Sequence, residues 1–142
     1  MTLSREHTTE LLAQTRLFAG VDPAGLEMIA ARVTELDVAA GRVIARQGEI
    51  GTGFFVVVSG AVRVVRDGEI IAQLGPGAFF GELSVLDRRP RIAQVVSSEP
   101  TTCLALASWD LEAVILGQPS VAMAILRELA GRLRELTEAQ HH

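Results

Sequence analysis

The chain has 142 residues and a net charge of −4, with 49% of its residues hydrophobic and 21% charged. This length and balance suit one globular domain with a real core and exclude two large domains. The negative charge argues against broad electrostatic attraction to nucleic acid. Because no apolar stretch approaches the length of a membrane span and the amino terminus lacks a signal-peptide pattern, we expect a cytoplasmic protein without a membrane partner.

The first elements along the chain are helical, over residues 5–33. Asp22 is placed to cap a helix that has Pro23 in its first turn, an arrangement typical of helix starts. One helical face is then marked by three apolar residues, Leu26, Ile29 and Val33. The segment therefore predicts a helical lead-in with one apolar face.

Strand signals replace the helical period between residues 34 and 107. Short runs rich in β-branched residues alternate with glycines, and Asp67-Gly68 between two of them is a strong hairpin signal. Many short strands at this spacing predict an antiparallel β-barrel of the jelly-roll type. The runs are VIARQG, GFFVVVSG, AVRVVRDGEIIAQLG, IAQVVSSEP and TTCLALAS.

Helical period returns at Ser108, which suits a helix cap, and two helices are predicted over residues 108–139. The first ends at Gly117, and Pro119 opens the second, longer one. Five apolar residues recur on the longer helix with heptad-like spacing, Ala122, Leu126, Leu129, Leu133 and Leu136. Because this repeat covers only about two heptads, the helix either lies on the barrel or pairs with a second copy.

Together these elements predict a single α+β domain, mainly β, over residues 1–140. Its parts are the helical lead-in, the jelly-roll barrel and the two carboxy-terminal helices. The final His141-His142 pair is interpreted as a tag remnant and takes no part in site reasoning.

One stretch of the strand region, FFGELSVLDRRPRIAQV at residues 79–95, carries charges inside apolar sequence. Gly81 lets the backbone turn tightly, and the helix-like GELSVL offers free N–H groups that suit an anion. Arg91 adds a planar cation that matches phosphate oxygens, and Glu82 can accept a hydrogen bond from a sugar hydroxyl. This combination describes a ribose phosphate.

A simpler interpretation of the same residues stays open on spacing alone. Glu82 can be an acid in the first turn of a helix, where the macrodipole favours it. Arg91 can belong to a solvated charge cluster together with Asp87, Arg88 and Arg89.

The stretch resembles the phosphate-binding cassette of cyclic nucleotide-binding domains, whose pattern is F-G-E-L-A/S-L, a short loop, and P-R-x-A. The matching positions are Phe80, Gly81, Glu82, Leu83, Ser84, Leu86, Pro90, Arg91 and Ala93. The likeness extends over nearly the whole chain, through TRLFAGVDPAGLEMIA, GRVIARQGE and FFVVVSGAVRVV. The family includes catabolite activator proteins, protein kinase A regulatory subunits and cyclic nucleotide-gated channels.

The resemblance implies a cyclic nucleotide as the ligand. Arg91 would pair with its phosphate, and Glu82 would accept from the ribose 2′-hydroxyl. The backbone N–H groups of five residues would complete the phosphate cradle, Gly81, Glu82, Leu83, Ser84 and Ile92. The barrel residues expected under the base are Val56, Val64 and Leu74, each of which equally suits core packing. The lid-helix residues expected to touch the base are Leu133, Leu136 and Thr137, with Arg132 as a weaker candidate.

Two positions depart from the family pattern. The family often has a threonine directly after the arginine where cGMP is preferred, and Ile92 stands there without a hydroxyl. This favours cAMP, with cGMP as the alternative ligand. Gln94 replaces the common threonine or serine after P-R-x-A, and its role stays open.

The implied function is a regulatory module rather than an enzyme, which binds cAMP without a further cofactor and relays occupancy through its last helix. By the same resemblance this helix often dimerises, so a homodimer is expected. The sequence contains no helix-turn-helix, channel or catalytic segment, so we expect no nucleic-acid contact through this chain and a fused or separate output domain.

Two other functions compete with this interpretation. A metal-dependent enzyme of the cupin type would share a small jelly roll, but it needs several histidines on strands, and only His7 lies outside the terminal pair. The single Cys103 is expected to be a buried, inert thiol. A degenerate domain that serves as a dimerisation scaffold without a ligand is the other alternative, and the intact Glu82 and Arg91 argue against it.

Overall fold

The structure is a computed structural model, and it describes residues 3–139 except for the side chains of Glu82 and Leu83. Helices lie at both ends of the chain and strands between them. The helical elements are α1 (Arg5–Gln14), a 3-10 turn (Arg16–Phe18), α2 (Pro23–Ala30), α3 (Glu82–Asp87), α4 (Ser108–Gly117) and α5 (Pro119–Ala139). The strands are β1 (Thr34–Val38), β2 (Val43–Ala45), β3 (Gly53–Ser59), β4 (Val62–Arg66), β5 (Glu69–Leu74), β6 (Phe79–Phe80), β7 (Gln94–Ser97) and β8 (Thr101–Ala107).

Within the described residues, the strands form two antiparallel four-stranded sheets. Their strand orders are β1-β8-β3-β6 and β2-β7-β4-β5. Consecutive strands such as β1 and β2, or β7 and β8, belong to different sheets, so the chain crosses repeatedly from one sheet to the other. This architecture confirms the predicted jelly-roll type of β-fold with flanking helices. That residues 1–140 form a single domain stays a prediction.

Local signals in the sequence act where they were expected. The Asp22 carboxylate accepts a hydrogen bond from the Gly25 N–H at 2.9 Å and so caps α2. Asp67 and Gly68 both take left-handed backbone angles, with φ of 52° and 83°, in the tight turn between β4 and β5. Such a turn matches the twist of the two strands that it joins.

Some element boundaries differ from the predicted ones. β1 and the two-residue β6 were not among the predicted strand runs, because TELDV carries two acids and FF is too short to show a period. Ala107 is the N-cap of α4, and Ser108 is already its first helical residue. α2 ends at Ala30, so Val33 lies beyond the helix and packs against the core from there.

The core has two layers, one on each face of the first sheet. Phe54 and Val56 of β3 pack toward the helices, whereas Val57 packs between the two sheets. Alternate residues of a strand point to opposite faces, and here both faces are covered. Cys103 of β8 lies fully buried between the sheets, as predicted, and burial raises the pKa of its thiol to about 11.

The two carboxy-terminal helices meet at a sharp bend of 115°. α5 buries Val121, Ala124 and Ile125, all in its first half. Within the described part of the chain, no single helix is long and apolar enough to cross a membrane; α4 and α5 meet the length and composition criteria only when taken together across their bend.

Candidate functional site

A cavity of about 680 Å³ opens beside the second sheet, between the segment of residues 79–93 and α5. Its volume lies within the usual range for sites that bind small molecules. Apolar side chains from four strands and the 79–93 segment make up much of its wall, and three arginines also line it. The lining residues are Ala45, Val64, Ile71, Leu74, Phe79, Phe80, Gly81, Ser84, Asp87, Arg89, Pro90, Arg91, Ile92, Ala93, Val95 and Arg132.

Arg91 is held at this cavity by both its backbone and its side chain. Its N–H donates to the Glu49 carbonyl at 2.8 Å, and its carbonyl accepts from the Gly48 N–H at 2.8 Å. The guanidinium donates from Nη2 to the Gly53 carbonyl at 2.7 Å and from Nη1 to the Gly81 carbonyl at 3.4 Å. The β2–β3 loop therefore fixes the position of a half-buried cation in the cavity wall.

Gly81 joins β6 to α3 in a left-handed conformation with φ of 87°, which favours glycine. A Cβ at this position would lie 2.6 Å from Nη1 of Arg91, so the absence of a side chain also makes room for the cation. The first turn of α3 follows at once, and its N–H groups have no partner inside the helix. The predicted side-chain role of Glu82 lies outside the described residues, as does the side chain of Leu83.

The Ser84 side chain makes contacts inside the protein. It is 4% exposed, and its Oγ accepts from the Gly51 N–H at 2.6 Å and donates to the Arg89 carbonyl at 2.8 Å. The hydroxyl thus ties α3 to the β2–β3 loop and to the segment that leads to Arg91. Sequence reasoning assigned only the backbone N–H of Ser84 to the site and missed this link.

The predicted barrel residues divide into two groups. Val64 and Leu74 line the cavity, and their contact with a base stays a prediction. Val56 instead packs in the core layer between the first sheet and the helices. Its neighbour in sequence, Val57, is the one that faces the second sheet.

The lid residues predicted on α5 lie away from the cavity wall. Leu133 and Leu136 are 66% and 64% exposed, and the Thr137 hydroxyl donates to the Leu133 carbonyl. Among the described residues, Arg132 is the part of α5 that lines the cavity. Contact of Leu133, Leu136 or Thr137 with a base stays a prediction.

Arg132 is placed by an aromatic ring and an acid. Its guanidinium carbon lies 4.1 Å from the centroid of the Phe79 ring, a cation–π geometry. Its Nε lies 3.8 Å from Oε1 of Glu128, which also meets Nε of Arg16 at 3.1 Å. This chain of contacts links the cavity wall to the 3-10 turn near the amino terminus.

Sequence reasoning did not single out Ile71 and Val95 as wall residues. Val95 pairs with Val64 in the register between β7 and β4, so it lies on the same face of the sheet. Ile71 lies next to a register shift between β4 and β5, and a bulge of this kind cannot be read from alternation alone. Ile92 is 64% exposed at the cavity, where a ligand can reach it.

The described residues contain no group of three or more His, Cys, Asp or Glu side chains that could hold a metal ion. His7 lies on α1, with its Nδ1 3.9 Å from a carboxylate oxygen of Glu10. The raised pKa of Cys103 keeps its thiol protonated near neutral pH.

Known proteins resemble this chain in sequence and fold. The model of the cyclic nucleotide-binding domain family matches residues 35–117, which run from the second residue of β1 to the end of α4. A CRP-like cAMP-activated global transcriptional regulator of Mycobacterium tuberculosis is 29% identical over 88% of this chain and 58% of its own length. A cyclic nucleotide-gated potassium channel of Mesorhizobium japonicum is 37% identical over 80% of this chain and 31% of its own length.

The crystal structure of the Thermus thermophilus catabolite activator protein superimposes with a TM-score of 0.80 and 36% identity, over 89% of this chain and 62% of that one. This chain thus spans less than two thirds of the length of these relatives. The family model covers both the cassette around Arg91 and the sheets that build the cavity wall. The chain belongs to the cyclic nucleotide-binding domain family.

Proposed function

We propose that this chain binds cAMP in the cavity beside Arg91 and relays the bound state through α5. The observation that carries the proposal is the guanidinium of Arg91, which backbone carbonyls hold at the wall of a largely apolar cavity. An anchored cation beside apolar walls suits a ligand that carries one anionic group and one flat, weakly polar ring.

The phosphate of the ligand belongs at the Arg91 end of the cavity. The planar guanidinium matches two phosphate oxygens, and the N–H groups in the first turn of α3 lie next to it across Gly81. The N–H of Ile92 follows Arg91 directly in the chain. Glu82 is proposed to accept from the ribose 2′-hydroxyl, because a carboxylate would repel the phosphate itself.

The base belongs against the apolar wall formed by Val64, Ile71, Leu74 and Val95. A flat aromatic ring gains by removing such side chains from water. The proposal favours cAMP over cGMP because Ile92 offers no hydroxyl to the guanine amino group. The Mycobacterium tuberculosis relative is a cAMP-activated regulator by name, which agrees with this choice.

α5 is proposed to be the output element. Its buried residues, Val121, Ala124 and Ile125, lie in its first half, while the helix from Leu133 onward is exposed. Arg132 lies at the boundary and faces the ligand cavity, so a bound base would meet α5 at the point where its burial ends. A ligand that contacts α5 in one of its positions shifts the helix toward that position.

The exposed leucines of α5 also favour an interaction between two chains. Leu126, Leu133 and Leu136 are 57%, 66% and 64% exposed and recur at heptad-like spacing. Pairing of two such stripes would bury them, and it would link dimer formation to ligand binding. A scaffold that only dimerises is the competing function, and a ligand titration separates the two.

Isothermal titration with cAMP tests the proposal. We expect one site per chain and a rise in thermal stability, since ligand at about 100 times its dissociation constant adds about 2.7 kcal/mol to the folded state. No heat of binding together with an unchanged melting temperature at millimolar cAMP would favour the scaffold function. 5′-AMP is the matched control ligand, because it has the same base without the cyclic phosphate.

A further inference from the structure

The segment of residues 51–53 lies where three parts of the molecule meet. The Gly51 N–H donates to Ser84 Oγ of α3 at 2.6 Å. The Thr52 carbonyl accepts from the Ser108 N–H at the start of α4 at 2.8 Å. The Gly53 carbonyl accepts from Nη2 of Arg91 at 2.7 Å. Three successive residues therefore make hydrogen bonds to α3, to the start of α4 and to the side chain of Arg91.

Gly51 is glycine for reasons of space. A Cβ at this position would overlap Cζ, Nε and Nη2 of Arg91. The φ of Gly51 does not lie in the left-handed region, so its backbone conformation is open to any residue. Gly81 differs, because its φ of 87° would strain an alanine whatever the space.

The backbone around Gly51 has little freedom to move away from an added methyl group. The Gly51 N–H and the Thr52 carbonyl are both hydrogen-bonded, and Gly53 pairs with Ala107 in the ladder between β3 and β8. The far end of the Arg91 side chain is more easily displaced, since only side-chain torsions need to change.

We propose that Gly51 is a positioning residue for ligand binding, whose missing side chain lets the Arg91 guanidinium lie against the β2–β3 loop at the cavity wall. The inference rests on the proposed function, because the cation positioned in this way is the one that would bind the phosphate. A cation already held in place loses little freedom on binding, and this raises affinity. Displacing it removes that advantage without removing the charge.

Gly51→Ala tests the inference, with Gly20→Ala as the matched control. Gly20 also has φ outside the left-handed region, and a Cβ there meets Ala124 at an ordinary contact distance of 3.5 Å. We expect Gly51→Ala to weaken cAMP binding about tenfold. The melting temperature of the unliganded variant should fall by only a few degrees, because little more than the hydrogen bond from Arg91 to the Gly53 carbonyl is lost. Gly20→Ala should bind cAMP as the wild type does.

The crystal structure of unliganded Gly51→Ala provides a second, direct test of where the Arg91 guanidinium lies. We expect the guanidinium of Arg91 to leave hydrogen-bonding distance of the Gly53 carbonyl while the loop stays in place. A variant that binds cAMP with wild-type affinity, a loop that moves in place of the guanidinium, or a large loss of unliganded stability would each overturn the inference. Failure of the wild type to bind cAMP would instead overturn the proposed function, and it is seen before any variant is compared.

Discussion

The segment that carries Arg91 and the helix α5 border the same cavity, but they are held in different ways. Residues 81–91 are tied to the β2–β3 loop through the Arg91 backbone, the Arg91 guanidinium and the Ser84 hydroxyl. α5 is anchored by three buried residues in its first half, and its second half is exposed. The ion pair of Arg16 with Glu135 reaches that second half, and because both side chains are largely exposed it contributes little to stability.

The difference between residues 81–91 and α5 indicates which part of this fold can move when a ligand binds. Two packed sheets with hydrogen-bonded ladders form a frame that changes shape only at high cost. Among the described residues, the contacts of this helix end include the exposed Arg16–Glu135 ion pair and the cation–π contact of Arg132, and contacts of these kinds yield at small cost. The ligand is therefore proposed to bind on the frame and to act on α5.

Replacement of Arg91, the cation that is anchored beside the sheets, should have the largest effect on cAMP affinity. Arg91→Leu is expected to weaken cAMP binding by roughly 30- to 4,000-fold, because losing one partner of a desolvated charge pair costs on the order of 2–5 kcal/mol. Calorimetry measures this loss, with Arg66→Leu as a control at an exposed arginine of β4. Wild-type affinity in Arg91→Leu would mean that the phosphate does not bind here.

Removal of the second half of α5 should have the next largest effect. A chain that ends at Gly131 loses Arg132, Leu133 and Leu136 but keeps Leu126 and the buried Val121, Ala124 and Ile125. We expect about tenfold weaker cAMP binding and loss of any dimer, while the sheets stay folded. Titration and analytical ultracentrifugation check this, and a chain that ends at Thr137 serves as the control. Unchanged affinity would separate α5 from the ligand.

A smaller effect, on the preference for cAMP over cGMP, is expected from a substitution at Ile92. Ile92→Thr should improve cGMP binding and narrow the preference for cAMP, because one added hydrogen bond contributes about 0.5–1.5 kcal/mol. The gain should be tenfold at most. Competition between the two nucleotides measures it, with Ile92→Val as the control that keeps the branched shape without a hydroxyl. A preference that does not change in Ile92→Thr would point to α5 as the selector.

The two packed sheets should change least when cAMP binds. Burial raises the pKa of Cys103 to about 11, so little reactive thiolate exists at pH 8, and alkylation should be slow both with and without cAMP. The neutral thiol stabilises the fold below pH 9, and this contribution should fall as the pH rises from about 9 toward 11. Mass spectrometry after iodoacetamide treatment, with a denatured sample as the reference, checks the rate. A rate that changes strongly with cAMP would show that the frame opens.

The parts of this fold that could be predicted depend on local chemistry. Asp22 with Pro23 marks the start of α2, and Asp67-Gly68 marks a hairpin, because each signal acts within a few residues. β1 was missed because it carries Glu35 and Asp37, which read as polar sequence in the absence of its partner β8.

The site was predictable only where one side of an element is buried. β3 is covered on both faces, so alternation alone could not tell that Val56 faces the helices and Val57 the second sheet. On α5 the apolar stripe drew attention to Leu133 and Leu136, whereas the cavity meets Arg132. The contact of Arg132 with Phe79, and the one that Glu128 makes with Arg16, join residues far apart in sequence, so neither could be read from the helix alone.

Hydrogen exchange with and without cAMP tests the division between frame and helix most directly. We predict that cAMP slows hydrogen exchange over residues 131–139, while β3 and β8 are strongly protected both with and without cAMP. The carboxy-terminal half of α5 is then ordered by the ligand, and the sheets are not. Equal protection of residues 131–139 in the two states, with cAMP bound, would contradict the account.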